Sequence, residues 1–430
     1  MIAFVTLLLG LISGIYPIEV TVSGPVAAVE FTLDGAPAGR LEHAPWIAKV
    51  DLGTDLRPHQ LVARALDAEG KEISRAEQWL NLPRPPAEVE IVLESGEGGV
   101  PKTAVLTWQA VNGVKPSSIG LTLDGKPLTV DANGRAALPP QDLKILHVLT
   151  AELWFPLGVV ARKDVVFGGE YGSQVSTELT AVPVRFHGEV APTPQELNGR
   201  FSAQGRAVPV AAIEDGPGKV VVVRVPTATE LVERLIPQSR HFLSMQPAFR
   251  QELPLGEDDR VLFLSLQNPI VATSRVPSEL FAMTREYTRK DGGMFWFLSD
   301  TRLPPDTRKN GLRIADALAV AGLQAAVDNH RRAVVLVLGN DIKDISHYEP
   351  AEVRAYLDSV RVPLFVWSLY GANAPAAKGW GPVEEITTLP KLRKAVDKLR
   401  ADLDAQKIVW IEGRFLPQDV AVTAGTPGTR

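Results

Sequence analysis

The sequence contains no cysteine among its 430 residues. That excludes a disulfide scaffold, a thiolate zinc site, a cysteine nucleophile and a lipid-anchored N-terminal cysteine. It also has no block of Lys or Arg. Its 45 basic residues stand against 50 acidic ones, a net charge of -5, which leaves no electrostatic footprint for a nucleic-acid partner. No phosphate loop, His-Glu-x-x-His, Gly-x-Ser-x-Gly or dinucleotide fingerprint occurs in suitable context. Gly216-Pro-Gly-Lys219 precedes a strand rather than a helix and reads as a hairpin turn. What is present is length, more than one core normally serves, so about two to four domains are expected.

The first 18 residues carry no charged side chain, and Ile2 to Ile12 has the length of a signal-peptide core. Residues 1–16 are therefore expected to be a signal peptide, with a buried first strand as the alternative. No other stretch is apolar enough to cross a membrane. The expected location is extracytoplasmic: periplasmic, cell-surface or secreted.

From about residue 19 to 225, short β-branched runs are punctuated by Gly, Pro, Asp and Asn, the pattern of antiparallel sandwiches. Phe31-Thr-Leu-Asp-Gly-Ala-Pro37 recurs as Leu121-Thr-Leu-Asp-Gly-Lys-Pro127, and His59-Gln-Leu-Val-Ala-Arg-Ala65 as His147-Val-Leu-Thr-Ala-Glu-Leu153. Two anchors at nearly equal offsets mean two copies of one immunoglobulin-like module, placed at 17–90 and 91–172. In each copy Asp-Gly supplies a turn that tolerates positive φ. Both histidines read as structural, since each recurs with its strand and lacks a nearby acid partner. Residues 173–226, with Val208–Ile213 and Val220–Val225, are a β-rich segment or a third module.

Near Thr227 the pattern changes to alternating strands and helices. Thr227–Leu235 reads as a capped helix, Arg260–Leu264 as the first buried strand and Pro277–Tyr287 as a helix. Strands follow at Gly293–Leu298, Ala333–Leu338, Pro363–Leu369 and Lys407–Ile411, separated by helices over 312–329, 350–360 and 389–405. Continuous apolar strands between amphipathic helices imply a doubly wound, mostly parallel α/β sheet over 227–415, with a flexible tail at 416–430. Ligands of such sheets bind at the carboxyl ends of the strands.

At those ends stand Ser265-Leu-Gln-Asn-Pro269, Ser299-Asp300-Thr301 and Gly339-Asn-Asp341, with Asp344 nearby. Arg331–Asp341, the following helix and Val362–Gly371 resemble the fourth strand, helix and fifth strand of the von Willebrand factor A family, in its acidobacterial A-domain-related subgroup. Asn310-Gly-Leu-Arg-Ile-Ala-Asp-Ala-Leu318 is similar to that family's Gly-Gly-Thr-x-Leu-x-Asp-Ala-Leu segment, and Val165–Val184 resembles the joint that precedes such domains. The resemblance implies a metal-ion-dependent adhesion site. Carried over residue by residue, its ligands fall on Ser265, Gln267, Pro269, Leu312 and Asn340, all altered. A site without a carboxylate offers magnesium little in exchange for its water, so no cofactor and no tightly held metal are expected. Asp341 and Asp344, with Asp300, are the residues that could rescue weak binding.

Glu257-Asp258-Asp259 and Glu384-Glu385 read as solvated acids. His330 and His347 flank the third strand. Trp296 and Trp367 read as core, whereas Trp380, in a Pro/Gly/Ala-rich loop, reads as a contact anchor above the binding edge or a lid on the core. Lys391–Arg400 reads as a solvated basic helix face. The function expected is non-catalytic protein binding, adhesion or scaffolding, through a rim of Ser299, Asp300, Asp341, Asp344 and Trp380. A hydrolase using loop acids, or a structural subunit of an envelope assembly, is the alternative. The partner is a protein, and oligomerisation is open.

Overall fold

The computed structural model describes residues 2–85, 87–95, 100–110, 114–144, 146–156, 159–168, 179–186, 192–225, 255–266, 281–291, 311–339, 343–371, 373 and 375–423. The chain divides into two units, residues 1–54, 59–80 and 84–178, and residues 55–58, 81–83 and 179–430.

The first unit holds two antiparallel β-sandwiches. In the first, β1 (Ile2–Phe4), β2 (Ile15–Val22), β3 (Ala28–Leu33), β4 (Ala36–Leu41), β5 (Ile47–Asp51), β6 (His59–Leu66) and β7 (Glu72–Leu80) form sheets β1-β2-β5 and β4-β3-β6-β7. In the second, β8 (Ala87–Ser95), β9 (Pro101–Ala110), β10 (Ser118–Leu123), β11 (Lys126–Pro127), β12 (Arg135–Ala137), β13 (Leu146–Trp154) and β14 (Val160–Gly168) form β12-β9-β8 and β11-β10-β13-β14. The two orders superpose strand for strand, so the sequence repeat is a repeat of the whole module. Alternate residues of both sheets meet in each core, for example Ile18, Val50, Phe31 and Leu61 in the first and Leu106, Leu121, Leu149 and Phe167 in the second.

Residues 2–4, expected within a signal peptide with a buried first strand as the alternative, form a strand of the first sandwich. β1 is the counterpart of β8 and pairs antiparallel with β2, Ile2 opposite Val22 and Phe4 opposite Val20. Ile2, Phe4, Leu8 and Ile12 are buried in the first core. The module boundary also moves, since β8 starts the second sandwich at Ala87 rather than after residue 90.

The paired anchors turn out to bond to each other. Asp34 and Asp124 both have φ of 51°, each followed by a positive-φ glycine, as a tight hairpin turn requires. Asp34 Oδ2 lies 2.7 Å from His59 Nδ1, and Asp124 Oδ2 lies 2.7 Å from His147 Nδ1. The other carboxylate oxygen accepts the N–H of Gln60 at 2.8 Å or of Val148 at 2.9 Å. The histidines thus have acid partners, contrary to the sequence expectation, and those partners make them turn fasteners.

The second unit combines a small β-module with a parallel sheet inserted into it. β15 (Leu179–Arg185), the one-turn helix α1 (Pro194–Leu197), β16 (Phe201–Ala203), β17 (Arg206–Val208) and β18 (Val210–Glu214) lead into β19 (Gly218–Arg224). Then come β20 (Arg260–Ser265), β21 (Ala282–Met283), α2 (Ile314–Ala325), β22 (Arg331–Leu338), α3 (Pro350–Ser359), β23 (Leu364–Ser368), β24 (Val383–Glu385), α4 (Leu389–Ala405), β25 (Gln406–Glu412) and β26 (Val420–Val422). The six-stranded sheet runs β21-β20-β19-β22-β23-β24, parallel except for β21. α2 packs on β19 and β22, and α3 on α2. On the other face Ala333, Val335, Val337 and Trp367 meet Leu392, Val396 and Leu399 of α4.

Several boundaries differ from the sequence reading. Val220 to Val223 are wholly buried because β19 is the inner strand between β20 and β22, covered on both faces. It belongs to the parallel sheet rather than to the 173–226 segment, so the α/β region starts at Gly218 and its first strand is β19. Lys407–Ile411 does not finish that sheet. As β25 it lies between β15 and β18, and β26 pairs with β16, so the third module is completed by the C-terminal strands and residues 420–422 are not tail. Val182, Phe186, Phe201, Val409, Ile411 and Val420 share its core. Gly216–Lys219 carries the chain from one sheet to another rather than closing a hairpin. Ala282–Met283 forms a strand where a helix is expected over 277–287, its main chain drawn onto the edge of β20. The expected helix at 227–235 and the strand at 293–298, with Trp296, lie outside the described residues.

Candidate functional site

The carboxyl edge of the parallel sheet is the place to look for a site, and its described part is built around the start of α2. Gly311, at φ +75°, stands where a Cβ would collide, 2.7 Å from the Lys343 carbonyl oxygen and from Ile345 Cγ2. Leu312 N–H donates to Lys343 and Ile345 N–H to Leu312, both at 2.9 Å, tying the strand-end loop to the helix start. The helix lacks a cap of its own, since the Arg313 side chain at the N-cap position makes no capping bond. Asp344 supplies one from 30 residues on. Its carboxylate accepts Ile314 N–H at 3.1 Å, Ala315 N–H at 3.2 Å and the Ser346 hydroxyl at 2.5 Å. Asp316, buried in the first turn, completes the brace. It accepts Arg313 Nε at 2.6 Å, His347 N–H at 3.0 Å and Tyr348 N–H at 3.2 Å.

Among the residues expected at the site, Leu312 and Asp344 come together, bridged in parallel, yet Leu312 is buried and the Asp344 carboxylate is occupied with main-chain donors. Ser265 is exposed at the end of β20. β20 follows β19 in chain order among the described strands of the sheet. Gln267, Pro269, Ser299, Asp300, Asn340 and Asp341 lie outside the described residues. Trp380 is not a rim anchor. Gly379 and Gly381, at φ +89° and +87°, fold the chain back on either side of it, and its ring is 4% exposed, a lid on the sheet. Trp367 is wholly buried, as expected. His347 contributes its N–H to the brace, and its ring stands edge-on to Tyr348.

Asp259 is also not the solvated acid expected. It is 2% exposed and accepts Gly218 N–H at 2.7 Å and Gly256 N–H at 2.8 Å, with Arg331 at 3.2 Å. A Cβ on either glycine would lie 2.8 Å from that carboxylate. Close by in the sheet, buried Lys219 meets Glu286 at 3.0 Å and Arg260 meets it at 3.1 Å. Burial works to raise the Glu286 carboxyl, but the two cations hold it below its ordinary value. These charges fasten the amino end of the sheet. Glu384 and Glu385 pair with Lys398 and Lys391 of α4 at 2.6 and 2.8 Å. Asp316 and Ser346 went unnoticed in sequence, although Asp344-Ile-Ser346 has the form of an Asx turn. Among the described residues no three His, Asp or Glu side chains cluster as metal ligands.

Comparison with known proteins gives likeness in shape alone. No protein-family profile and no curated protein matches the chain. Among solved structures, the fibronectin(III)-like modules of Clostridium thermocellum CbhA match 41% of this chain and 98% of theirs, at 15% identity and a TM-score of 0.16. The central fibronectin-III array of RIM-binding protein matches 45% and 80%, at 10% identity and 0.26. Proximal thread matrix protein 1 from the mussel byssus matches 45% and 48%, at 11% identity and 0.30. The immunoglobulin-like description of the first unit therefore rests on its strand order. No described helix is long and apolar enough to cross a membrane.

Proposed function

We propose that the chain is a non-catalytic extracytoplasmic protein that binds or scaffolds other proteins, with an A-type α/β domain of the von Willebrand factor kind inserted into the last of three β-modules. Counted in chain order among the described strands of the sheet, β22 and β23 are the fourth and fifth, the places that the family resemblance gives to Arg331–Asp341 and Val362–Gly371. Moved to the end of β19, the metal turn reads Val225-Pro-Thr-Ala-Thr229, and the carboxylate is again replaced, now by Val225. The observation that carries the non-catalytic reading is the engagement of Asp344 and Asp316, which hold main-chain N–H groups in place. Ile345, next to Asp344 in the chain, and Tyr370, just after β23, expose 46% and 43% of their surface, apolar contact area suited to a protein partner.

Two measurements on the full chain test this reading. Calorimetric titration with Mg²⁺, Mn²⁺ and Ca²⁺ is expected to give no binding tighter than about millimolar, and a micromolar isotherm would restore a cation-bridged mechanism. Affinity capture from native envelopes is expected to retain a specific protein that the double variant Ile345→Glu, Tyr370→Glu fails to retain. Equal capture by both forms would remove the edge from the binding function.

A further inference from the structure

A second recess lies at the amino half of β23, a cleft of about 270 Å³ bordered by α3, the Trp380 loop, β24 and α4. It exists because the sheet edge is incomplete. β24 pairs only with Val366 to Ser368, whereas β23 begins at Leu364. Two hydrogen bonds set which main-chain groups face the gap. Val334 N–H donates to Pro363 and Ile386 N–H donates to Ser368, each at 2.9 Å. In a parallel ladder these directions alternate, so odd residues of β23 bond to β22 and even ones face β24. Leu364 therefore points both its N–H and its carbonyl into the cleft, where no strand of the described residues stands. Pro382, at the cleft wall just before β24, has no N–H to extend the pairing.

The walls carry both charges. On the α3 side are Arg354, whose one described bond is a 3.5 Å contact with the Gly379 carbonyl, and Asp358, which has no ion pair among the described residues. On the α4 side Lys398 and Glu384 bond to each other at 2.6 Å. Trp380 and Leu357, both buried, close the cleft between them.

We propose that this cleft binds an extended peptide segment of another protein, added to the sheet edge as a short strand beside Leu364. A peptide main chain offers the donor and acceptor that Leu364 lacks, and its alternate side chains reach the two walls, which is how edge-strand recognition divides affinity from specificity. Walls of mixed sign match a chain carrying both charges and give no field for a polyanion. The cleft is separate from the carboxyl edge and stands whether or not that edge binds a partner.

The test uses the full chain and a pool of acetylated, amidated heptapeptides of randomised sequence, with affinities of selected peptides read by fluorescence polarisation. Binding is expected to weaken at least about tenfold in Asp358→Arg and in Lys398→Glu, both exposed positions whose fold is checked by circular dichroism. N-methylation along a selected peptide is expected to weaken binding at alternate residues only, and the Leu364 amide is expected to become protected from exchange. The proposal is overturned by a pool without binders, by binders indifferent to both variants, or by a methylation scan without alternation. It is equally overturned if the occupant is a second copy of the chain, seen in sedimentation as a dimer that Asp358→Arg dissolves.

Discussion

Asp124 stands in the left-handed region, receives the Val148 N–H and faces His147. The hydrogen bond with His147, then the one from Val148, holds its carboxyl below the ordinary 3.8. A value lower in the folded than in the unfolded chain means that the carboxylate stabilises the fold above the ordinary value. That contribution is lost as pH falls through the depressed one. Asp124→Asn keeps the turn and removes the charge, so it is expected to lower the stability of the first unit by about 1 kcal/mol at neutral pH, a figure reduced because the carboxylate is partly exposed. Urea titrations should show the difference shrinking as the pH falls below the ordinary value of 3.8; an unchanged midpoint at neutral pH would leave the His–Asp bond without a role in stability. Asp344 makes a separate case. If it acts as the cap of α2, Asp344→Ala costs about 1–2 kcal/mol in the second unit, and a chain of unaltered stability would reopen Asp344 for chemistry at the edge.

Between elements, the tightest joint is that of α2 with α3. Gly322 packs where a Cβ would lie 2.3 Å from Leu357 Cδ2 and 3.3 Å from Tyr356 Cε1. Gly322→Ala raises helix propensity, yet it forces two buried side chains apart. The overpacking is expected to win, with a net loss of about 1–3 kcal/mol in thermal or urea unfolding of the second unit. A stabilised variant would mean that α3 shifts freely on α2. These helices were legible in sequence because their signals are local: the 3.6-residue apolar period, Pro350 at the start of α3 and the Thr388 cap of α4. The hairpin at Asp34-Gly35 was legible for the same reason. Asp344 as a cap was not, since its partners lie 29 and 30 residues away. The burial of Trp380 was half legible. The flanking glycines announced a sharp turn, but nothing local says whether a ring in such a turn faces solvent or the sheet.

At the scale of the molecule, the order of elements along the chain hides one insertion. Val220–Val223 and Lys407–Ile411 are both apolar β-branched runs, and composition cannot say which sheet either enters. The neighbours of β25 are β15 and β18, and Leu179 pairs with Glu412 across the whole inserted sheet. A chain ending at Gln406 keeps the Gln406 bonds to Arg332 but loses β25 and β26. Val409, Ile411 and Val420, at most 2% exposed, go with them. Removing three such side chains withdraws about 5–8 kcal/mol of burial, comparable with the whole stability of a domain, and β15 and β18 lose the strand between them. The parallel sheet keeps all six strands and its α4 face. Amide exchange is therefore expected to become fast over Leu179–Arg185 and Val210–Glu214 in the truncated chain, while Val220–Val223 and Ala333–Val337 stay protected. Protection lost in both regions together would mean that the inserted sheet cannot stand without the module around it, and protection kept in both would mean that β25 does not hold the module closed.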